Sequence, residues 1–264
     1  MELFDFVTFT AAKLETFLLI AFRAGGLFIA APIIGHDSIP RLVKAAFAVV
    51  LAVVLVPVVG EVNLPEINSV WLLGLMAAKE LLVGFIIGWF FSFVFIAIKM
   101  AGHIVGYQIG LMMATVLDPE SNSQISIIGE FWHLVAILIF LAINGHHAII
   151  SAFADSYRAV PIGVFNFAGS AGEMLIRYSG YTFVIAIKIA APVIITLFLT
   201  SVTLGVVART VPQMNIFIVG IPIKIAIGLL VLAAALPVFR FMVEKTVFFL
   251  DTEIARVLFA IGTV

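Results

Sequence analysis

Six long apolar stretches constrain the fold of this chain more strongly than any other feature of its sequence. A transmembrane α-helix needs about 20 mostly apolar residues to cross the hydrocarbon core of a bilayer. The stretches that approach this length are residues 16–34, 45–60, 81–98, 127–143, 182–208 and 216–243. The pattern predicts an all-α polytopic membrane protein of about six hydrophobic helical segments, with residues 1–264 as a single domain.

The composition agrees with a chain that is in contact with membrane lipid. Hydrophobic residues make up 64% of the sequence and charged residues 11%, with a mean hydropathy of +1.27, whereas a soluble domain carries about 25% charged residues. The 14 Lys and Arg residues against 15 Asp and Glu leave a net charge of -1. Because no basic surplus is available to neutralise phosphates, nucleic acid is not an expected partner.

Ionisable residues interrupt four of the apolar stretches: Arg23, Glu130, Lys188 and Lys224. A charged side chain at the bilayer centre costs about 2.5 to 3.5 kcal/mol on insertion scales. We therefore expect all four to be buried polar residues that lie against protein or a water-filled cavity, and we expect a hetero-oligomer to supply the extra helix surface. For Glu130, Lys188 and Lys224 the hypothesis is burial against protein in the assembly. An ion relay in an independent secondary transporter is the alternative, although no inverted repeat is evident.

Two sets of glycines recur at intervals of four residues, so that each set lies on one face of a helix. The first set is Gly84 and Gly88, and the second is Gly102, Gly106 and Gly110. Small residues at this spacing let two backbones approach closely. The spacing predicts helix packing within the chain or contact with another subunit, and it leaves both open. At Gly106 and Gly110 we expect another backbone to pass close by.

The segment from residue 81 to residue 117 contains no proline. If it were wholly helical it would extend for about 55 Å at 1.5 Å per residue, well beyond a hydrocarbon core of roughly 30 Å. We expect this element to break, bend or leave the bilayer. Its second half also carries Lys99, His103, Tyr107 and Gln108 among apolar residues, which indicates a surface that faces water or protein.

The sequence shows no catalytic or metal-binding signature. It lacks a His-Glu-x-x-His pair, a Gly-x-Ser-x-Gly elbow and a glycine-rich phosphate loop, and with no cysteine it lacks thiolate chemistry. Glu130 and His133 are three residues apart and could share a helix face, but no further ligand stands at metal spacing nearby. We therefore expect no enzymatic activity, no metal and no cofactor.

Several motifs, taken in their order along the chain, resemble the FliR family of flagellar export proteins, which is related to the matching subunit of injectisomes. The resemblance covers nearly the whole chain. It depends on Arg23 with Pro32, Pro40-Arg41, Lys79-Glu80-x-x-x-Gly84-x-x-x-Gly88, Gly102-x-x-x-Gly106-Tyr107-Gln108-x-Gly110, Asp118-Pro119, Asn144-Gly145-His146, Ala191-Pro192 and Val211-Pro212-Gln213-Met214-Asn215.

The resemblance implies a function in protein export. A single copy of the subunit would complete a helical ring of FliP and FliQ subunits, with FlhB and FlhA on the cytoplasmic side, and its helices would form hairpins within this hetero-oligomeric gate. The gate would lie in the bacterial inner membrane, in the flagellar basal body, and would pass unfolded flagellar proteins outward. Flagellar use and injectisome use are not distinguished by any single residue.

The resemblance also implies a segment that plugs the pore. The matching positions in this sequence are Gly110, Leu111, Met112, Met113, Ala114, Thr115 and Val116. Methionine is unbranched and adaptable, so it can seal an irregular lumen and repack around passing chains. A buried core turn is the alternative interpretation of this segment.

Overall fold

The computed structural model describes residues 2–36, 38–60, 69–111, 126–166, 169–211, 213 and 215–262, with side chains from residue 14 onward except at 169, 216 and 217. Within these ranges the chain forms α-helices and contains no β-strand. The helices are α1 (Glu2–Ala30), α2 (Arg41–Val59), α3 (Val70–Ile109), α4 (Ile127–Ala142), α5 (Gly145–Ala159), α6 (Gly169–Thr210) and α7 (Ile216–Gly262).

The prediction of an all-α polytopic membrane protein is confirmed. Four helical segments of the described chain are long and apolar enough to cross a membrane: Arg41–Val59, Val70–Ile109, Ser170–Thr210 and Ile218–Gly262. Helices α4 and α5, which follow each other closely in the chain, together form a fifth candidate. The structure therefore offers four or five candidate spans where the sequence indicated six apolar segments.

Helix α5 was not predicted, because its sequence is amphipathic rather than apolar. Its buried residues Ile149, Ala152, Phe153 and Ser156 recur at helical spacing, whereas His147, Asp155 and Arg158 are exposed. The bend before it is made by Asn144, whose φ of 58° is left-handed. Asn tolerates this conformation better than most residues, so the chain turns between α4 and α5 over a short link.

Helix α3 differs from the predicted long element at both ends. It runs without interruption for 40 residues, which is about 60 Å at 1.5 Å per residue. It begins at Val70, before the apolar stretch, and ends at Ile109. The helix ends before Gly110, whose φ is +93°. Because its 40 residues are already longer than a hydrocarbon core, the expectation that this element bends or leaves the bilayer stays a prediction.

The chain divides into two compact units, each with its own core. The first consists of Met1–Phe93, Asn144–Tyr178 and Val247–Val264, and its core includes Leu27, Phe90 and Phe153. The second consists of Val94–Ile143 and Ser179–Thr246. In the second unit the Trp132 ring stacks on Phe239, with 5.1 Å between centroids.

Candidate functional site

A buried ion pair lies in the first unit and joins α1 to α3. The Nε atom of Arg23 donates to Oε2 of Glu80 at 2.5 Å, and both side chains are 0% exposed. Arg23 was expected to be buried, and the structure places it so. Glu80 was not among the predicted buried residues, although it is the counter-ion that makes the burial of Arg23 tolerable.

The remaining polar atoms of this pair also have partners, and together these residues form what we call the Arg23 cluster. The two terminal nitrogens of Arg23 donate to Oγ of Ser156 and to the carbonyl oxygen of Val160, each at 3.0 Å. Its Cζ atom lies 4.2 Å from the centre of the Tyr157 ring. The second carboxylate oxygen of Glu80 accepts from the backbone N–H of Gly163 at 2.8 Å.

The Arg23 cluster connects three helices and the loop that follows α5. A buried ion pair recovers its desolvation cost only when the geometry is good and the remaining donors and acceptors are paired. Here every nitrogen of the guanidinium and both oxygens of the carboxylate meet that condition. The arrangement therefore serves to fix the register of α1, α3 and α5, and it contains no nucleophile next to a base.

Glycines bring α1 and α3 close together beside this cluster. A β-carbon on Gly84 would meet the backbone of Arg23 and Leu27, and one on Gly88 would meet the backbone of Leu27 and Ala31. Gly26 on α1 meets α3 in the same way. These contacts are helix packing within the chain, so contact of Gly84 or Gly88 with another subunit stays a prediction.

The second glycine set lies in the second unit, where α3 crosses the start of α4. A β-carbon on Gly102 would collide with the backbone of Gly129. At Gly106 the described neighbour is the Ser126 side chain, with Oγ 2.8 Å from an added β-carbon. The backbone expected near Gly106 is therefore not found in the described residues, and the space that glycine leaves is taken by a hydroxyl.

Gly110 is held in a backbone conformation that favours glycine. An added β-carbon there would meet nothing within 4 Å among the described residues, but the φ of +93° is one that other residues rarely adopt. Backbone conformation therefore calls for glycine here, and the close approach of another backbone stays a prediction. Leu111 follows it in a turn, and the predicted plug residues Met112, Met113, Ala114, Thr115 and Val116 lie outside the described residues.

The other predicted buried polar residues are not buried within the single chain. Glu130 pairs with Lys99 at 3.1 Å, and both side chains are partly exposed. Lys188 is exposed and Lys224 is partly exposed. Burial of Glu130, Lys188 and Lys224 in an assembly therefore stays a prediction, while Arg23 is satisfied inside this chain.

Metal-binding geometry is absent from the described part of the chain, where no three His, Asp or Glu side chains converge. His133 packs its ring against Phe95, with 5.7 Å between centroids, and the Glu130 carboxylate pairs with Lys99. The adjacent His146 and His147 lie against each other at 4.3 Å between centroids.

Known proteins with similar sequences are bacterial export proteins. The family model described as "Bacterial export proteins, family 1" matches residues 14–249. The flagellar biosynthetic protein FliR of Bacillus subtilis (strain 168) is 34% identical over 248 residues, which cover 93% of this chain and 95% of that protein. The FliR protein of Escherichia coli (strain K12) is 30% identical, with 81% and 82% covered.

A third relative has a similar degree of identity. The FliR protein of Aquifex aeolicus (strain VF5) is 31% identical over 224 residues, which cover 85% of this chain and 86% of that protein. These matches extend over most of both chains, and the matched region includes the Arg23 cluster and both glycine sets. The chain belongs to the FliR family of bacterial export proteins.

Proposed function

We propose that this component of the flagellar protein-export apparatus forms, together with FliP and FliQ, the pore of an export gate. The gate lies in the bacterial inner membrane within the flagellar basal body, and unfolded flagellar proteins leave the cytoplasm through it. FlhB and FlhA are further partners on the cytoplasmic side. Residues 1–264 act as one export-gate domain, and because the family consists of structural export components, no reaction is assigned to the chain.

The main support for assembly with other subunits is an exposed charge on α6. Lys188 lies near the middle of a candidate membrane span and is exposed. Its exposed neighbours Phe183, Val184 and Ile187 are apolar. The Nζ atom of Lys188 lies 5.9 Å from the centre of the Tyr181 ring, and an ammonium among lipid tails would still cost about 2.5 to 3.5 kcal/mol on insertion scales. A subunit that supplies a counter-charge or hydrogen-bond acceptors would lower this cost, so α6 is a face that another subunit covers.

Helices α2 and α7 support the same conclusion. Most large side chains of α2 are exposed in this chain, among them Leu42, Phe47, Val50, Val53, Val54 and Val58. Helix α7 exposes Leu229 and Leu230 within the same candidate span as Lys224, which is partly exposed. Apolar surface on this scale is typical of a chain that is covered by lipid and by other subunits.

The segment 110–116 closes the pore in this proposal. Its support is the family resemblance, the two methionines, and a helix that ends at Ile109 in a glycine with positive φ. A residue with positive φ ends the regular helix at this point. The seal blocks ions and small solutes without holding the cargo tightly.

Purification tests the assembly. The chain, carrying an affinity tag, is co-expressed with the FliP and FliQ subunits of its own bacterium and extracted in mild detergent. We expect one large complex that contains all three, whereas the chain expressed alone aggregates or is degraded. The alternative is a secondary transporter. In that case the chain would be monodisperse alone, would not bind FliP or FliQ, and would bind a small solute.

Complementation separates flagellar from injectisome use. The chain is introduced into a bacterium that lacks its own FliR subunit, and swimming is measured. Restored swimming is the expected result. Assembly with the injectisome subunits, without restored swimming, would assign the chain to the other system.

A further inference from the structure

A row of polar side chains occupies one exposed face of α3 in the second unit. Lys99, His103 and Tyr107 stand four residues apart, so they share a face of the helix. Lys99 is partly exposed and His103 exposed, and Tyr107 is 74% exposed. We call these three residues the α3 stripe. The opposite face of the same turns, formed by Ala97, Ile98, Ala101 and Val105, is fully buried.

The stripe includes a solvated ion pair. The Nζ atom of Lys99 lies 3.1 Å from a carboxylate oxygen of Glu130 on α4, and the two side chains are 37% and 47% exposed. The crossing of α3 and α4 at Gly102 and Gly129 places these two residues side by side. The pair leaves the stripe with little net charge while keeping both groups accessible.

Lipid tails do not suit this surface, and neither does the headgroup layer. A cation in the hydrocarbon region costs about 2.5 to 3.5 kcal/mol. From Lys99 to Tyr107 the helix rises about 12 Å, whereas each headgroup layer is about 5 to 8 Å thick. The stripe is therefore too long along the helix to fit within one headgroup layer unless the helix tilts strongly.

A dry contact with another subunit does not suit it either. Covering Lys99 and Glu130 with protein would remove water from both charges, and the effective desolvation cost is several kcal/mol for each ion. The Arg23 cluster shows how this chain pairs a charge that it buries, with several hydrogen bonds around each group. In contrast, the described contacts give Lys99 the single carboxylate of Glu130. Water is the medium in which such a pair is stable.

We propose that the α3 stripe is the part of this chain that lines the water-filled path of the gate and touches the unfolded polypeptide in transit. This rests on the proposed function, because a single chain without the gate has no such path. Glu130 was expected to lie against protein or a water-filled cavity, and this proposal places it in the water-filled cavity.

The chemistry of the stripe fits an unfolded polypeptide as the occupant. Such a chain presents backbone N–H and C=O groups with side chains of every kind. An imidazole and a phenol offer hydrogen bonds, and the tyrosine ring offers an apolar face. Since Lys99 is paired with Glu130, the wall does not hold acidic or basic segments strongly. Weak contacts without sequence preference suit a cargo that must move on.

Cysteine substitution tests the proposal directly, because the natural chain has no cysteine. The variants His103→Cys and Tyr107→Cys are assembled with FliP and FliQ and placed in lipid nanodiscs, which leave both sides accessible. A charged thiol reagent, which needs a hydrated thiolate, then measures exposure to water. Controls are Ala101→Cys on the buried face of α3 and Leu230→Cys on an exposed apolar face of α7. We expect the stripe cysteines to react at least roughly ten times faster than either control.

A stalled cargo supplies the second measurement. An export substrate fused to a stably folded domain is trapped in the gate, and the reaction rate is measured again. We expect protection of both stripe cysteines by several-fold, and a benzophenone side chain placed at residue 103 to cross-link to the cargo. The Leu230→Cys and Ala101→Cys rates stay unchanged.

Three outcomes would overturn the inference. Stripe cysteines that react as slowly as the controls in the complex would mean that a subunit or lipid covers them. Cross-links to FliP or FliQ alone would identify the stripe as a subunit interface. If the stripe cysteines react fast but a stalled cargo does not protect them, the stripe lies in water outside the export path of the gate. Failure of the three subunits to assemble is a separate result, which would count against the proposed function itself.

Discussion

Arg23 and Glu80, separated by 57 positions in the sequence, meet in an ion pair from which water is excluded. Breaking a buried pair by removing one partner costs about 3 to 5 kcal/mol, because the other charge stays buried without compensation. We predict that Glu80→Gln lowers the stability of the chain by about this amount. The readout is the temperature at which the complex in detergent loses its monodisperse peak.

Two further variants show whether charge is the cause. Arg23→Met combined with Glu80→Gln removes both charges and keeps an acceptor for the N–H of Gly163, so it is expected to recover part of the loss. Asp155→Asn breaks an exposed pair of 3.5 Å with Arg158, and it should change stability by less than about 1 kcal/mol. If Glu80→Gln melts like the parent, the pair does not stabilise the fold.

Gly84→Ala is predicted to separate α1 from α3. The added methyl group would meet the backbone of Arg23 and Leu27, which cannot move aside as a flexible side chain would. Overpacking of this kind typically costs about 1 to 3 kcal/mol. Gly74→Ala, on the same helix, meets nothing within 4 Å and should instead gain about 0.5 to 1 kcal/mol, because alanine favours helix. Equal effects of the two variants in the same thermal assay would refute the close crossing.

Gly110→Ala is predicted to destabilise the end of α3. At a φ of +93° a β-carbon is strained whatever space surrounds it, and left-handed conformations cost other residues roughly 1 to 2 kcal/mol. Gly110→Asn should cost less, since Asn visits positive φ more readily. Gly180→Ala, in open space within α6, serves as the control and should not destabilise. Proteolysis of the complex near residue 110 measures the effect.

Deletion of residues 112–115 is predicted to open a leak through an assembled gate. A seal made of adaptable side chains blocks ions only while it fills the lumen. Cells that express the deletion should become sensitive to small solutes, and the purified complex should conduct ions. A core turn would behave otherwise, since its deletion would prevent assembly and give no leak. Normal assembly with an unchanged ion barrier would contradict the plug.

Lys188 is predicted to be covered in the assembly. Its side chain is exposed on α6 in this chain, among apolar neighbours. A benzophenone side chain placed at residue 188 should therefore cross-link to FliP or FliQ in the assembled complex. A benzophenone at residue 103 provides the contrast, as it is expected to cross-link to a stalled cargo. An intact complex in which residue 188 cross-links to no subunit would contradict coverage.

The apolar segments were recognisable from the sequence because burial in lipid is a local requirement. Six stretches predicted helices, and each of them overlaps one in the structure. The spacing of Gly84 and Gly88 likewise indicated a close helix crossing. The spacing did not indicate which backbone lies next to these glycines. The structure shows that it is the backbone of α1 in the same chain. Likewise, the four-residue interval from Gly106 to Gly110 suggested that both glycines allow a close helix crossing. In the structure Gly106 makes room for the Ser126 side chain, whereas Gly110 adopts a positive φ.

The sequence by itself determined the membrane class, the helical fold and the family, because hydrophobic length, composition and motif order belong to the chain alone. Only the tertiary structure decided which charges are neutralised inside the protein. Glu80 sits beside Lys79 in the sequence and gives no sign of its partner, yet it is buried with Arg23. Lys188, in an equally apolar run, is left exposed. The reason is that the energy of a charge depends on the distance to its counter-ion and to water, and both are set by how distant helices pack.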